Sequence, residues 1–266
     1  MESTQLKSMD LSFLDYTQRQ LSEISPEGLH RGLSQLEVSG HFHFSNQTWT
    51  SNSYEGFAII SMVTDNPGNQ SLMDQIIQIR NQIESAFIKE GSFYSLPVSS
   101  YHQTLANTLS AEKFQTRIGI PGKEKDYTEI IRNSFHKIRS YHENEPIRMS
   151  MVGLSLFKNA IGLLGIFKKE EDYKRILNFR EKFYGFQPLQ EYGVQMTRPF
   201  IGHITLGYFE KQLLEVEKEN LNQVLLKINQ ELFKSPPFFF ISQTSLRRYH
   251  SLSEFYREDF FPVHQF

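Results

Sequence analysis

The chain has 266 residues, a formal net charge of −2, nine histidines and no cysteine. The missing thiol excludes disulfides, cysteine nucleophiles and cysteine-held zinc. The near-neutral balance argues against a protein that grips long nucleic acid through its phosphate backbone, but leaves open a small anionic ligand held by local donors.

Residues 1–40 read as polar and helical, broken at Ser25-Pro26-Glu27-Gly28. His41-Phe42-His43-Phe44 alternates like a strand, and the polar run 45–53 reads as a loop. Tyr54 to Thr64 is rich in strand formers and is closed by Asp65-Asn66-Pro67-Gly68. A helix is predicted over 70–89, with Leu72, Ile76, Ile79, Ile83 and Phe87 on one face. A strand follows within 94–108, a helix over 124–141, and strands over 147–157 and 161–167. Helix 170–184 precedes the apolar stretch Arg198 to Phe209. A long helix over 212–233 ends at Pro236-Pro237, and a last strand covers 238–249. The apolar run near 160–167 is far short of the ~20 residues that span a bilayer. The polar first ten residues lack a signal core. The expectation is a cytoplasmic protein without a membrane segment.

The element order repeats. Strand 54–64, helix 70–89, a strand with His102 and Thr104, helix 124–141 and strand 147–157 form one half. Strand 161–167, helix 170–184, a strand with His203 and Thr205, helix 212–233 and strand 238–249 form the other. The two His-x-Thr units lie 101 residues apart in the same slot of each half, a longer period than that of solenoid repeats. The expected fold is α+β: a bilobal duplicated domain over 54–266, with two antiparallel sheets facing a central cleft and helices outside. Its lobes are expected at about 54–157 and 161–249, behind an N-terminal extension of residues 1–53 that could narrow the cleft.

One His-x-Thr or His-x-Ser is weak, since nine histidines yield about one by chance at usual Ser and Thr frequencies. His43-Phe44-Ser45 reads as such a coincidence. The units at 102 and 203 share a following leucine, a strand setting and an equivalent position. Facing one another, they would bring two imidazoles and two hydroxyls to one cleft. One neutral imidazole can take a proton while a protonated one gives a proton to a leaving oxygen. The threonine hydroxyls can donate to phosphate oxygens.

The stretches Leu96-Pro97 with His102-Gln103-Thr104-Leu105, and Arg198-Pro199-Phe200-Ile201-Gly202-His203-Ile204-Thr205-Leu206, resemble the paired motifs of the two-histidine phosphoesterase superfamily, over about residues 54–249. Within it, the similarity is to RNA or nucleotide cyclic phosphodiesterases and to a bacterial branch of unassigned substrate. The resemblance implies hydrolysis of a cyclic phosphodiester without metal or cofactor, with His102, Thr104, His203 and Thr205 catalytic. The implied partner is a 2′,3′-cyclic nucleotide or a cyclic-phosphate RNA end. A non-catalytic nucleotide or phospho-ligand binding module and an RNA end-joining enzyme are the alternatives. Candidate substrate contacts are Arg198, Arg247, Arg248 and Tyr249, with alternation sending only one of the two consecutive arginines into a cleft. Tyr101 and Tyr208 flank the units and are further candidates, although strict alternation turns both to the buried face. His30, His136, His142, His250 and His264 show no spacing that demands a role. His41 and His43 share a strand face, but a third metal ligand is not evident.

Overall fold

The two motif strands belong to two different five-stranded antiparallel sheets, one as a border strand and the other one place in from the edge. A computed structural model describes residues 9–138 and 145–266. Its elements run α1 (Phe13–Glu23), α2 (Pro26–Ser34), β1 (Phe42–Ser45), β2 (Thr48–Ser51), β3 (Gly56–Met62), α3 (Gln70–Glu84), β4 (Phe93–Ser95), β5 (His102–Ser110), α4 (Ala111–Arg117), α5 (Lys123–Lys137), β6 (Ile147–Phe157), β7 (Ala160–Phe167), α6 (Glu170–Tyr184), α7 (Gln187–Glu191), β8 (His203–Phe209), α8 (Glu215–Lys234), β9 (Phe238–Ile241), β10 (Gln243–Ser251), β11 (Glu254–Tyr256) and β12 (Val263–Gln265).

The first sheet has the order β11-β10-β3-β5, with β12 also paired to β10; the second has the order β4-β8-β7-β6-β9. β1 and β2 form a separate hairpin. The expected α+β class with antiparallel sheets and helices outside is what forms. Helices α4, α5 and α6 pack on the first sheet, while α1, α2, α3 and α8 pack on the second. The near-continuous burial of β6 follows from α2 and α8 covering it.

The division into lobes at 157 and 161 does not follow the sheets. β6 belongs with β7 and β8, and β10 belongs with β3 and β5. Each half therefore gives its last strand to the sheet that carries the other half's histidine. The single strand expected over 238–249 is broken at Ser242. Its first piece, β9, pairs with β6, and its second, β10, pairs with β3. The β6–β7 turn at Lys158-Asn159 makes a local hairpin between the halves, and local antiparallel pairing outweighs pairing within a half.

The apparent break at 25–28 is a helix start. Pro26 occupies the first turn of α2 and the Ser25 hydroxyl accepts from the Gly28 N–H, the arrangement that a missing N–H and a short hydroxyl side chain favour. The helix expected over 124–141 ends at Lys137, and its expected last turn and His142 lie outside the described residues. Among the described residues no helix is long and apolar enough to cross a membrane.

Candidate active site

Both motif strands carry a bulge at the same place. Ile60 pairs with Thr104 and Ile59 with Ala106, so Leu105 is an extra residue in β5. Gly162 pairs with Thr205 and Ile161 with Gly207, so Leu206 is an extra residue in β8. One extra residue reverses the alternation beyond it. Asn107 thereby joins His102 and Thr104 on one face, and Tyr208 joins His203 and Thr205. Burial follows this pattern: those six positions are partly open, while Gln103, Leu105, Ala106, Ile204, Leu206 and Gly207 are buried. The expectation from strict alternation that Tyr208 points away is thus overturned. The two bulge carbonyls are both satisfied, that of Leu105 by Arg180 Nη1 at 2.6 Å and that of Leu206 by the Leu96 N–H at 2.9 Å.

The two imidazoles are held alike. His102 Nδ1 lies 2.6 Å from the Ser100 carbonyl oxygen, and His203 Nδ1 lies 3.1 Å from that of Ile201. A carbonyl oxygen only accepts, so each Nδ1 carries the hydrogen and each Nε2 keeps its lone pair free. A phenylalanine ring packs against each imidazole, Phe255 at 4.4 Å from His102 and Phe157 at 5.0 Å from His203. Burial lowers both to about 4, against partial compensation by the Nδ1 hydrogen bonds. Arg247 adds to the lowering at His102; Arg198 and His102 itself add to it at His203. Each imidazole thus has an arginine within electrostatic reach, and the two imidazoles feel one another. Thr104, Asn107, Arg198 and His203 line one small cavity.

The arginines are placed differently. Arg247 is mostly buried and donates to Asp65 Oδ1 at 3.0 Å. Arg198 is exposed and lies against Asn107. With the amide oxygen turned to the guanidinium, Nε and Nη2 donate to it at 3.2 and 3.1 Å. Arg248 is not part of this group. It pairs with Glu124, comes within 4.0 Å of Glu55 and lies over Phe114, because alternation sends it to the opposite face from Arg247. Tyr101 is also excluded as a substrate contact, since its ring is fully buried. Tyr249 shares Arg247's face but is itself buried in a small cluster with Ala58, Ile60 and Met62.

Residues before 54 also reach this region. Leu21 of α1 and Ile24, which follows its last residue, pack with Leu164, the cross-strand partner of His203, so they lie on the histidine face of the second sheet. Glu210 receives the Gly40 and Phe42 N–H groups at 2.9 and 3.2 Å and the Ser39 hydroxyl, fastening the hairpin to the end of β8. His41 then sits edge-on to Tyr54 at 5.0 Å and to Tyr208 at 5.5 Å. His43 is exposed on the hairpin. His264 is buried among Phe135, Phe179 and Phe266. Among the described residues no group of three or more His, Asp or Glu side chains is placed to hold a metal ion.

The contribution of Asn107, of Gln103 between the motif residues and of His41 was not foreseen. Asn107 was open to discovery, since it stands 101 residues before Tyr208. For Gln103 the signal was a polar residue at the buried position between His102 and Thr104.

No known family matches the chain, and no curated protein matches it. Solved structures do. A conserved protein of unknown function, ATU0111 from Agrobacterium tumefaciens str. C58, is 16% identical over 90% of this chain and 97% of its own, with a TM-score of 0.55. That likeness shows a shared fold. TT0787 of Thermus thermophilus is 14% identical over 72% of this chain and 87% of its own, with a TM-score of 0.43. Usb1 of Kluyveromyces marxianus, solved with uridine monophosphate, is 14% identical over 81% of this chain and 98% of its own, with a TM-score of 0.41. At those two scores the overlap carries no argument about this chain.

Proposed function

We propose that the chain hydrolyses a cyclic phosphodiester, a 2′,3′-cyclic nucleotide or a cyclic-phosphate RNA end, by acid–base catalysis with His102 and His203. The observation that carries this reading is the matched pair of imidazoles. Each is fixed through Nδ1 to the carbonyl two residues before it, each offers a bare Nε2, and each has a threonine two residues on along the same face. One Nε2 takes a proton from water as the water oxygen bonds to phosphorus. The other imidazole, protonated, gives its proton to the ring oxygen as the phosphorus–oxygen bond breaks, leaving a phosphate monoester and a hydroxyl. Thr104 and Thr205 donate to the non-bridging oxygens, and Arg198 and Arg247 supply positive charge as negative charge gathers there.

Both imidazoles are held neutral near pH 7 by burial. The base is therefore ready, and the acid acquires its proton when the anionic phosphate arrives and offsets the cost of a buried cation. The test is a panel of 2′,3′-cyclic, 3′,5′-cyclic and dinucleotide substrates together with RNA ends bearing a cyclic phosphate, assayed with EDTA present. Turnover of a 2′,3′-cyclic substrate that disappears in His102→Ala and in His203→Ala is expected. Full turnover in the double variant sinks the reading. Measurable affinity with unchanged ligand after long incubation replaces it with a binding module.

A further inference from the structure

The edge of β5 faces a stretch of backbone without a ladder partner. β5 is the border strand of its sheet. On the side of β8 away from β7, the short β4 covers only Gly207 to Phe209, leaving Ile201 to His203 open. The gap between β5 and this open stretch is bridged by Gln103, which is fully buried. Its Oε1 accepts from the His203 N–H at 2.6 Å. Its Nε2 donates to the Ile201 carbonyl at 3.0 Å and to the Thr104 carbonyl at 2.8 Å. The amide orientation is fixed by these partners, since an N–H only donates and a carbonyl only accepts. The Ile201 carbonyl is the one that also receives His203 Nδ1–H.

We propose that Gln103 is a positioning residue for His203, and that through it the first motif sets the tautomer and aim of the second motif's imidazole. The same amide holds the His203 peptide from one side and the carbonyl that orients the ring from the other. Among the described residues no equivalent amide serves His102: the matching residue of the second motif is Ile204, buried in the core, and the Ser100 carbonyl that orients His102 comes from the turn 98–100. A second buried glutamine, Gln20 of α1, donates to the Gly202 carbonyl at 2.7 Å and the Gly165 carbonyl at 2.9 Å. It holds the other end of the same peptide unit without touching the Ile201 carbonyl. Gly202 leaves room for this approach, since a Cβ there would collide with the Tyr16 hydroxyl and the Met149 sulfur.

The assignment rests on the proposed role of His203 as acid or base, and its test is readable without turnover. Long-range proton–nitrogen spectra of the unliganded full chain, assigned with His102→Ala and His203→Ala, report the tautomer of each imidazole. Both should read as Nδ1–H in the wild type. In Gln103→Met, His203 should shift to mixed tautomers while His102 stays unchanged; in Gln20→Met, His203 should keep its tautomer. In the activity assay Gln103→Met should lose kcat on the order of tenfold to a hundredfold with little change in KM, the scale of a misplaced catalytic group. Should Gln103→Met fail to fold, Gln103→Asn, too short to span both partners, is read in the same way. A His203 reading of Nε2–H in the wild type overturns the proposal outright. So does a folded Gln103 variant whose His203 signals do not move, or whose His102 signals move equally. If no substrate is turned over, the imidazole readings still decide for or against Gln103.

Discussion

The two motif strands present the same chemistry and are fastened by different means. His102 and His203 share the carbonyl contact two residues back, the bulge after the threonine and the neighbouring phenylalanine. Around His102 the supports come from its own turn, from β3 beside it and from Arg180, which takes the bulge carbonyl of Leu105. Around His203 they come from across the molecule: Gln103 of the facing strand and Gln20 of the N-terminal helix. A duplicated fold needs its reacting groups alike, while the shells behind them are free to drift apart, because any set of donors and acceptors that satisfies the same backbone groups will serve.

The comparison is broken most strongly at the imidazoles. His102→Ala and His203→Ala should each lower kcat by about a hundredfold to ten-thousandfold, the usual range for a lost acid or base. Equal losses measured on one cyclic substrate would show that both halves act in the same step. An unaffected variant would reduce the site to one histidine.

Next in size is the shared support. Arg180, almost wholly buried, pairs with Asp10 at 3.0 Å and donates to the Leu105 and Arg198 carbonyls, so one guanidinium ties β5 to the segment leading into β8. Asp10 also accepts from the Phe200 N–H at 2.6 Å. Asp10→Ala leaves a buried cation without this carboxylate and should cost about 3 to 5 kcal/mol, read as a lowered denaturant midpoint at unchanged slope. A loss below about 1 kcal/mol, that of a surface pair, would remove Arg180 from this role.

The arginines sharpen the comparison at the ligand. Arg198→Gln and Arg247→Gln should each raise KM or the Kd for a nucleoside monophosphate by about tenfold, the worth of a charge-assisted hydrogen bond. Arg247→Gln should also lower thermal stability, because it removes the guanidinium that Asp65 accepts from, whereas the exposed Arg198 should not.

Acid should act on both halves together. The folded values of His102 and His203 are lowered from 6.5 to about 4, and that of buried His264 likewise to about 4. The unfolded chain therefore binds more protons between those limits, so stability is retained above about pH 6.5 and falls as the pH drops toward about 4. Urea midpoints measured across that window should decline, with a shallower slope in His264→Gln. Binding of an anionic phosphate at neutral pH should in turn take up a proton, seen calorimetrically as a dependence on buffer ionisation enthalpy. The smallest effect on the ligand is expected at Arg248→Ala, on the opposite face from Arg247, which should leave KM unchanged while lowering stability by on the order of 1 kcal/mol through its lost pair with Glu124 and contact with Phe114.

Much of this was legible in the sequence. β6, α6 and the motif strands lie close to where periodicity puts them, because their apolar spacing is strong and their ends are marked by turns. His102, Thr104, His203 and Thr205 stand out by type, spacing and the shared leucine. What was not legible follows from long-range geometry. The bulges at Leu105 and Leu206 carry no residue signature, so simple alternation puts Tyr208 on the wrong face. Ser242 gives no hint that Phe238–Ile241 and Gln243–Ser251 serve different sheets. Gln103 looks like a free position because two of its three partners, Ile201 and His203, lie about a hundred residues away, and a hydrogen bond to a distant backbone leaves no local pattern.

The exchange of last strands has a consequence for how the chain comes into being. When synthesis has passed β5, the first motif's sheet consists of β3 and β5 alone, and it waits for β10 until residue 251 has been made. Two strands with one covered edge are marginal in water. The strand set of the first motif is the last to be synthesised in full, after every strand of the second motif's sheet. A growing chain thus carries both histidines well before the first sheet is complete, and β5 gains its full sheet only when the carboxy-terminal strands have been made.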